Sequence, residues 1–175
     1  MVTNVIFSLM LCLYVNTIYI VCNFYNASNQ SISSIIQNED CNKLIFTNMI
    51  YMGGFTVIYE IYRNDIISLV SIFFLLLGIY GVIIYDHTKY IHYVFGFIVF
   101  MSIFTFMYNH SYKTVFLSFL FDFFIFISFG FFVFELLYVE IFLLFIFAIF
   151  YISLHFLGES PQNEIPCMTA TSEYI

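Results

Sequence analysis

The sequence predicts an all-α, polytopic membrane protein built as a six-helix transmembrane bundle, and three observations predict it. Six apolar stretches of about 19–22 residues are separated only by short polar segments. Each matches the ~30 Å hydrocarbon thickness at a helical rise of ~1.5 Å per residue. Hydrophobic residues make up 63% of the chain and charged residues 9%, too few to coat a soluble domain of this length. A mean hydropathy of +1.00 agrees.

The first span is read as Val5–Tyr25. No Lys or Arg precedes it and its apolar run outlasts the hydrophobic core of a signal peptide, so it is expected to be retained rather than cleaved. The loop that follows, Asn26 to Lys43, is the longest and most polar. It carries two glycosylation sequons, at Asn26 and Asn29, and is bracketed by Cys22 and Cys41. Those two thiols are placed to bridge if the loop faces an oxidising lumen; two unpaired thiols are the alternative. The second span is Leu44–Tyr62, the third Ile66–Tyr85, the fourth Tyr90–Tyr108, the fifth Thr114–Phe134 and the sixth Leu136–Leu157. Glycines at 53, 54, 78, 81, 96 and 130 mark where backbones can approach closely in lipid. Residues 158–175 are acidic and contain both prolines, Pro161 and Pro166; they read as a disordered cytosolic tail.

The positive-inside count is a tie, with Arg63 and Lys113 on one side and Lys43 and Lys89 on the other. Loop size decides instead. The first loop is placed outside or in the lumen, with both termini cytosolic, which leaves the third sequon at Asn109 in a tight cytosolic turn and unused. Tryptophan is absent, and tyrosines at the span ends (Tyr25, Tyr59, Tyr62, Tyr85, Tyr90, Tyr93, Tyr108 and Tyr112) take over the interfacial belt. This is anchoring rather than chemistry.

Charges inside spans are the strongest functional pointers. Asp122 is the deepest. A central acid costs about 2.5–3.5 kcal/mol, against about −7 kcal/mol from the sixteen Phe, Leu, Ile and Val residues of its span. The segment therefore inserts, and Asp122 is expected to be protonated or to face the bundle interior. His92 opens the fourth span and Glu140 lies one turn into the sixth, so threading puts both at one depth, where they could pair or share a polar ligand. Asp86, His87 and Glu135 read as solvated loop residues. His110 and His155 fall near the opposite side, but four histidines do not make two facing pairs for haem. No HExxH, CxxC or His/Cys ligand spacing occurs. No catalytic residue, metal ligand or cofactor site is expected. The net charge of −7 and the lack of any polybasic run exclude nucleic acid as a partner; membrane lipids, and other membrane proteins, remain.

With the spans placed, the order of features resembles the DRAM/Frag/Sfk family of six-span membrane proteins. "YEIYR" (Tyr59–Arg63) is similar to the aromatic-basic close of that family's second span. "ISLVSIFFLLLGIYGVIIYDHTKYIHYVFGFIVF" resembles its glycine-bearing third span, short turn and His-led fourth, with His92 as that His. Glu140, leading "EIFLLFIFAIFYISLHF", resembles the acid that opens its last span. The Phe-Gln pair often found before the His is replaced by Tyr85-Asp86, and the chain is shorter than typical members. The resemblance implies a non-enzymatic endomembrane or plasma-membrane protein acting in lipid organisation or autophagy-type processes. A second likeness, of "IYMGG" (Ile50–Gly54) to the sixth mitochondrially encoded NADH dehydrogenase subunit, places that motif one span too early. Two further function classes stay open: a small proton- or ion-coupled transporter using Asp122, and a membrane-embedded lipid-modifying enzyme using His92 and Glu140.

Overall fold

A computed structural model describes residues 2–26, 31–86, 88–132 and 136–157. The expected tail at 158–175, together with Asn29, His87 and Glu135, lies outside the described residues. The protein is all-α. Its elements are α1 (Val2–Phe24), α2 (Ile32–Ile36), α3 (Glu39–Arg63), α4 (Ile66–Ile84), α5 (Tyr90–Ser111), α6 (Val115–Ser128), a 3₁₀ turn (Phe129–Phe132) and α7 (Leu136–Leu157). Five of these helices are long and apolar enough to cross a membrane, and α6 is a shorter apolar helix. This is a multi-pass integral membrane protein.

The boundaries follow from local chemistry. The Asn38 side chain accepts the backbone N–H groups of Asp40 and Cys41, with Glu39 and Asp40 in the first turn of α3 and Arg63 in its last, each favoured by the helix dipole. Asn64 ends that helix in the left-handed region at φ 55°, a conformation asparagine tolerates better than most residues. Asp65 then caps α4 through the Ile67 and Ser68 N–H groups, and Thr114 caps α6 through that of Leu117.

The fifth expected span departs from one continuous helix. The α-helical part stops at Ser128, whose hydroxyl turns back onto the Phe124 carbonyl at 2.8 Å, and Gly130, a poor helix former, follows. The 14 residues of α6 and the four of the 3₁₀ turn still reach about 29 Å together at helical rises of ~1.5 and ~2.0 Å. The segment is long enough to cross, but with a tightened end.

The first loop also differs from a solvated excursion. Ser31 forms a capping box with Ser34 to start α2, and Ile35 and Ile36 are buried against Ile20, Cys41, Ile45, Ile83 and Leu137. The isoleucines in "SISSIIQ" close that loop over the bundle end.

Neighbouring helices pack in chain order, α1 on α3, α3 on α4, α4 on α5, α5 on α6 and α6 on α7. The main core joins α4, α5, α6 and α7 through residues such as Ile72, Phe106, Met107, Leu117, Phe124 and Phe150. Polar bonds supply what the hydrophobic effect cannot between helices in lipid. The Asn48 amide donates to the Leu13 carbonyl at 2.9 Å and to Thr17 Oγ1 at 2.6 Å, and accepts from Asn16 at 2.9 Å. Tyr80 donates to the Met49 carbonyl at 3.0 Å, and Asn42 to that of Ile83 at 2.9 Å. Most remaining large apolar side chains point outward, where lipid rather than water is the partner.

One consequence positions the site. Thr3, Tyr62, Arg63, Asp65, Lys113 and Leu154 all line one cavity. The start of α1, the end of α3, the α5–α6 turn and the end of α7 therefore share one end of the bundle, here called the termini end. The short helix α2 closes the other.

Candidate functional site

The polar residues of this chain converge at the termini end. Glu60, in the last turn of α3, is fully buried, at 0% exposure. Spacing of three residues brings the Arg63 guanidinium beneath it, with Nη1 at 3.1 and 3.3 Å from the two carboxylate oxygens. From α7 the Tyr151 hydroxyl donates to the same carboxylate. The neighbouring Tyr59 shares a 2.7 Å hydrogen bond with His155 Nδ1. Phe7 of α1 stacks on the His155 ring at 3.9 Å between centroids, and Arg63 lies 5.7 Å over the Tyr59 ring, within cation–π range. Three helices are thus fastened by the Tyr151–Glu60 and Tyr59–His155 bonds and a group of aromatic rings, with the Glu60–Arg63 pair lying inside α3.

A second group joins α4, α5 and the turns between helices. Ser68 Oγ and His110 Nε2 share a hydrogen bond at 2.5 Å, and Asp65 Oδ2 stands 3.6 Å from the same nitrogen. Serine, histidine and aspartate together invite comparison with a nucleophilic triad. In a triad, however, serine and aspartate address opposite ring nitrogens. Here both address Nε2, while the buried Nδ1 of His110 meets no partner among the described residues. The relay geometry is not formed.

Two cations reach the cavity between these groups. It measures about 240 Å³ and is lined by Thr3, Tyr59, Tyr62, Arg63, Asp65, Lys113, Leu154 and His155. Only four Lys and Arg residues exist in the chain, and two of them line this one space. Arg63 is held by Glu60. The Lys113 ammonium is exposed and makes no hydrogen bond or ion pair among the described residues. Although the residue is exposed overall, partial desolvation of its amine, and then repulsion from Arg63, hold the Lys113 amine below the usual lysine range. Burial acts to raise the Asp65 carboxyl, but the Ser68 N–H, His110 and Lys113 outweigh it and hold it below the usual carboxylate range.

The residues singled out from the sequence lie elsewhere. Asp122 does not face the bundle interior: it is exposed on α6. The buried stripe of that helix is Leu117, Leu120, Phe121 and Phe124, and Asp122 falls about 100° around the helix from Phe121. His92 and Glu140 do share the α2 end, but they do not bond to one another. The His92 Nδ1–H donates to the Tyr85 carbonyl at 2.9 Å, tying α5 to the end of α4. Glu140 accepts the Ile32 N–H at 2.7 Å and so holds the first turn of α2 onto α7. Each has a local structural task. Their effects on stability should therefore add: His92→Ala with Glu140→Ala should equal the sum of the singles to within about 0.5 kcal/mol in detergent unfolding. A markedly smaller double-mutant loss would restore the pair.

Of the two readings left open for the first-loop cysteines, the structure has the unpaired one. Cys22 and Cys41 are both free, Cys22 exposed at the end of α1 and Cys41 buried in the first turn of α3. Packing of Cys41 among Ile20, Ile35 and Ile45 takes its thiol into the core. Asn26 is exposed just beyond α1.

Glu60, Arg63, Ser68, Lys113 and Tyr151 were not legible as a site in the sequence. The available signal was an acid inside a span, Glu60, three residues before an arginine; next to a loop it reads as an ordinary interfacial charge. Compared with protein-family models, curated proteins and solved structures, the chain matches none.

Proposed function

We propose that the protein is a non-catalytic multi-pass membrane protein that engages the phosphate of lipid headgroups at its termini end, in the endomembrane system or plasma membrane. The observation that carries this reading is the meeting of Arg63 and Lys113 in one cavity in a chain so poor in cations. Arg63 is paired with Glu60 and Asp65 lines the same space, so Lys113 is the cation left to meet a phosphate through a charge-assisted bond, with the remaining N–H groups of Arg63 beside it. A space of about 240 Å³ lies below the usual ~300–1,000 Å³ range of small-molecule pockets. It suits a headgroup whose acyl chains stay in the bilayer. Tyr62, which is exposed, supplies an amphipathic ring at the interface, whereas Tyr59 is buried behind it and bonded to His155. The Glu60–Tyr151 network fixes Arg63 from behind.

The resemblance to the DRAM/Frag/Sfk family supports the same assignment, a role in lipid organisation or autophagy-type membrane processes. Cytosolic termini place the cavity on the cytosolic face, and place Asn26 and Asn29 where the secretory pathway can glycosylate them. The transporter reading loses its interior acid with Asp122 on the outer face, and the enzyme reading loses its His92–Glu140 pair.

The test is retention of lipid by purified protein in nanodiscs, read by native mass spectrometry. Phosphatidic acid should be retained at least about ten-fold over diacylglycerol, which has the same chains and no phosphate. Lys113→Gln should remove that preference with little change in melting temperature, because the Lys113 side chain fastens no helix and the amide adds no charge beside Asp65. Retention should also fall on raising the pH, and sooner than for an ordinary lysine, as the depressed Lys113 amine loses its proton. Equal retention of the two lipids, or an unchanged preference in Lys113→Gln, would refute the proposal.

A further inference from the structure

Among the described residues, Asp122 is the one acid midway along an apolar helix that the bundle leaves uncovered. It is the eighth of the 14 residues of α6, so at ~1.5 Å per residue it stands about 9–10 Å from either end of the helix. Around it on the outer face are Phe119, Phe123 and Phe126, all exposed. No hydrogen bond or ion pair reaches it among the described residues. Snorkelling serves long basic side chains near helix ends; a short carboxyl at mid-helix has no such escape. In lipid this is an unpartnered polar group at a depth where partners are valuable.

We propose that the α6 face centred on Asp122 docks a membrane-spanning helix of another protein that carries a lysine or arginine at mid-depth. Charge complementarity decides the occupant. A second copy of this chain has no cation to offer there: Lys43 and Arg63 lie at the two ends of α3, Lys89 precedes α5, and Lys113 lies between α5 and α6. Two copies facing through α6 would bring two acids together, which can bond only if at least one carries a proton and then without an ion pair. A partner helix with a central base satisfies the carboxyl by an ion pair, and the phenylalanines of the same face provide the packing around it. This surface lies on the flank of the bundle, apart from the cavity at the termini end, and is independent of what that cavity binds.

The experiment uses the full chain, fluorescently labelled and reconstituted into phosphatidylcholine vesicles. The probe is a synthetic leucine-rich transmembrane peptide with a single lysine at its centre, and association is read by energy transfer. The lysine peptide should associate about ten-fold more tightly than the all-leucine peptide. Asp122→Leu should bring the two peptides level, and moving the lysine to the peptide's end should do the same with unaltered protein. The second comparison keeps the test decisive should Asp122→Leu fold poorly. Equal association of the central-lysine and all-leucine peptides with the unaltered chain overturns the proposal. So does an advantage that survives Asp122→Leu, or self-association without peptide that Asp122→Leu abolishes, which would name a second copy as the occupant.

Discussion

Glu60→Ala is expected to cost about 3 kcal/mol of stability, toward the lower end of what breaking a buried ion pair costs. The change strands Arg63, whose side chain is only 17% exposed, with its Nη1 facing a gap. It also leaves the Tyr151 hydroxyl of α7 without its acceptor, so one truncation loosens both α3 and α7. The lower end applies because Arg63 keeps some access to the interface and its cation–π contact with Tyr59. Glu60→Gln should cost less, about 1–2 kcal/mol, because the amide oxygen still accepts from both donors but without the charge. Glu60→Ala combined with Arg63→Ala should fall well short of the sum of the singles, since the second change removes the stranded charge. Denaturant unfolding in detergent micelles, followed by helicity, measures all four proteins. A loss below about 1 kcal/mol for Glu60→Ala would put the pair with ordinary exposed salt bridges and leave Arg63 without its support.

The contrast between Glu60 and Asp122 shows what the sequence could and could not supply. Both are acids in apolar helices, and Asp122, nearer the centre, carries the stronger signal by depth alone. Helix class and five of the long segments follow from length and hydropathy, because lipid imposes those on the sequence directly. Which face of a helix turns inward does not follow. In a soluble helix polar residues mark the outside, but in α6 nearly every position is Phe, Leu, Ile or Val, so periodicity cannot tell core from lipid. The buried stripe of Leu117, Leu120, Phe121 and Phe124 is chosen by contact with α5 and α7. Glu60 is chosen likewise, by Arg63 on its own helix and Tyr151 some ninety residues on. His92 and Glu140 illustrate the same limit. Threading brings them to one depth, yet their partners are backbone groups, the Tyr85 carbonyl and the Ile32 N–H, which no residue-type pattern announces. The loop helix α2 escaped notice because its three isoleucines sit in a stretch that polar residues dominate.

Gly78→Ala should destabilise the bundle by about 1–3 kcal/mol, the range for overpacking a well-filled interface. The glycines that the sequence offers as equivalent are not equivalent in the fold. A Cβ on Gly78 would stand 2.8 Å from Val99 Cγ2, 3.0 Å from the Val99 nitrogen and 3.1 Å from the Phe95 carbonyl oxygen. Two of those three atoms are backbone, so relief requires α4 and α5 to move apart, and with them the most extensively packed pair of helices in the protein. At Gly81 the obstruction is the Phe95 ring, held in turn by stacking on Tyr85 at 5.4 Å. At Gly54 and Gly96 an added methyl meets nothing within 4 Å. Alanine there should be neutral or stabilising by up to about 1 kcal/mol, through helix propensity alone. The four single substitutions, compared by thermal unfolding in one detergent, separate close approach from incidental glycine. If Gly78→Ala were as harmless as Gly54→Ala, the α4–α5 contact would have to be looser than 3 Å backbone approach allows, and the helix pair that carries His110 and Ser68 to the termini end would need to be repositioned.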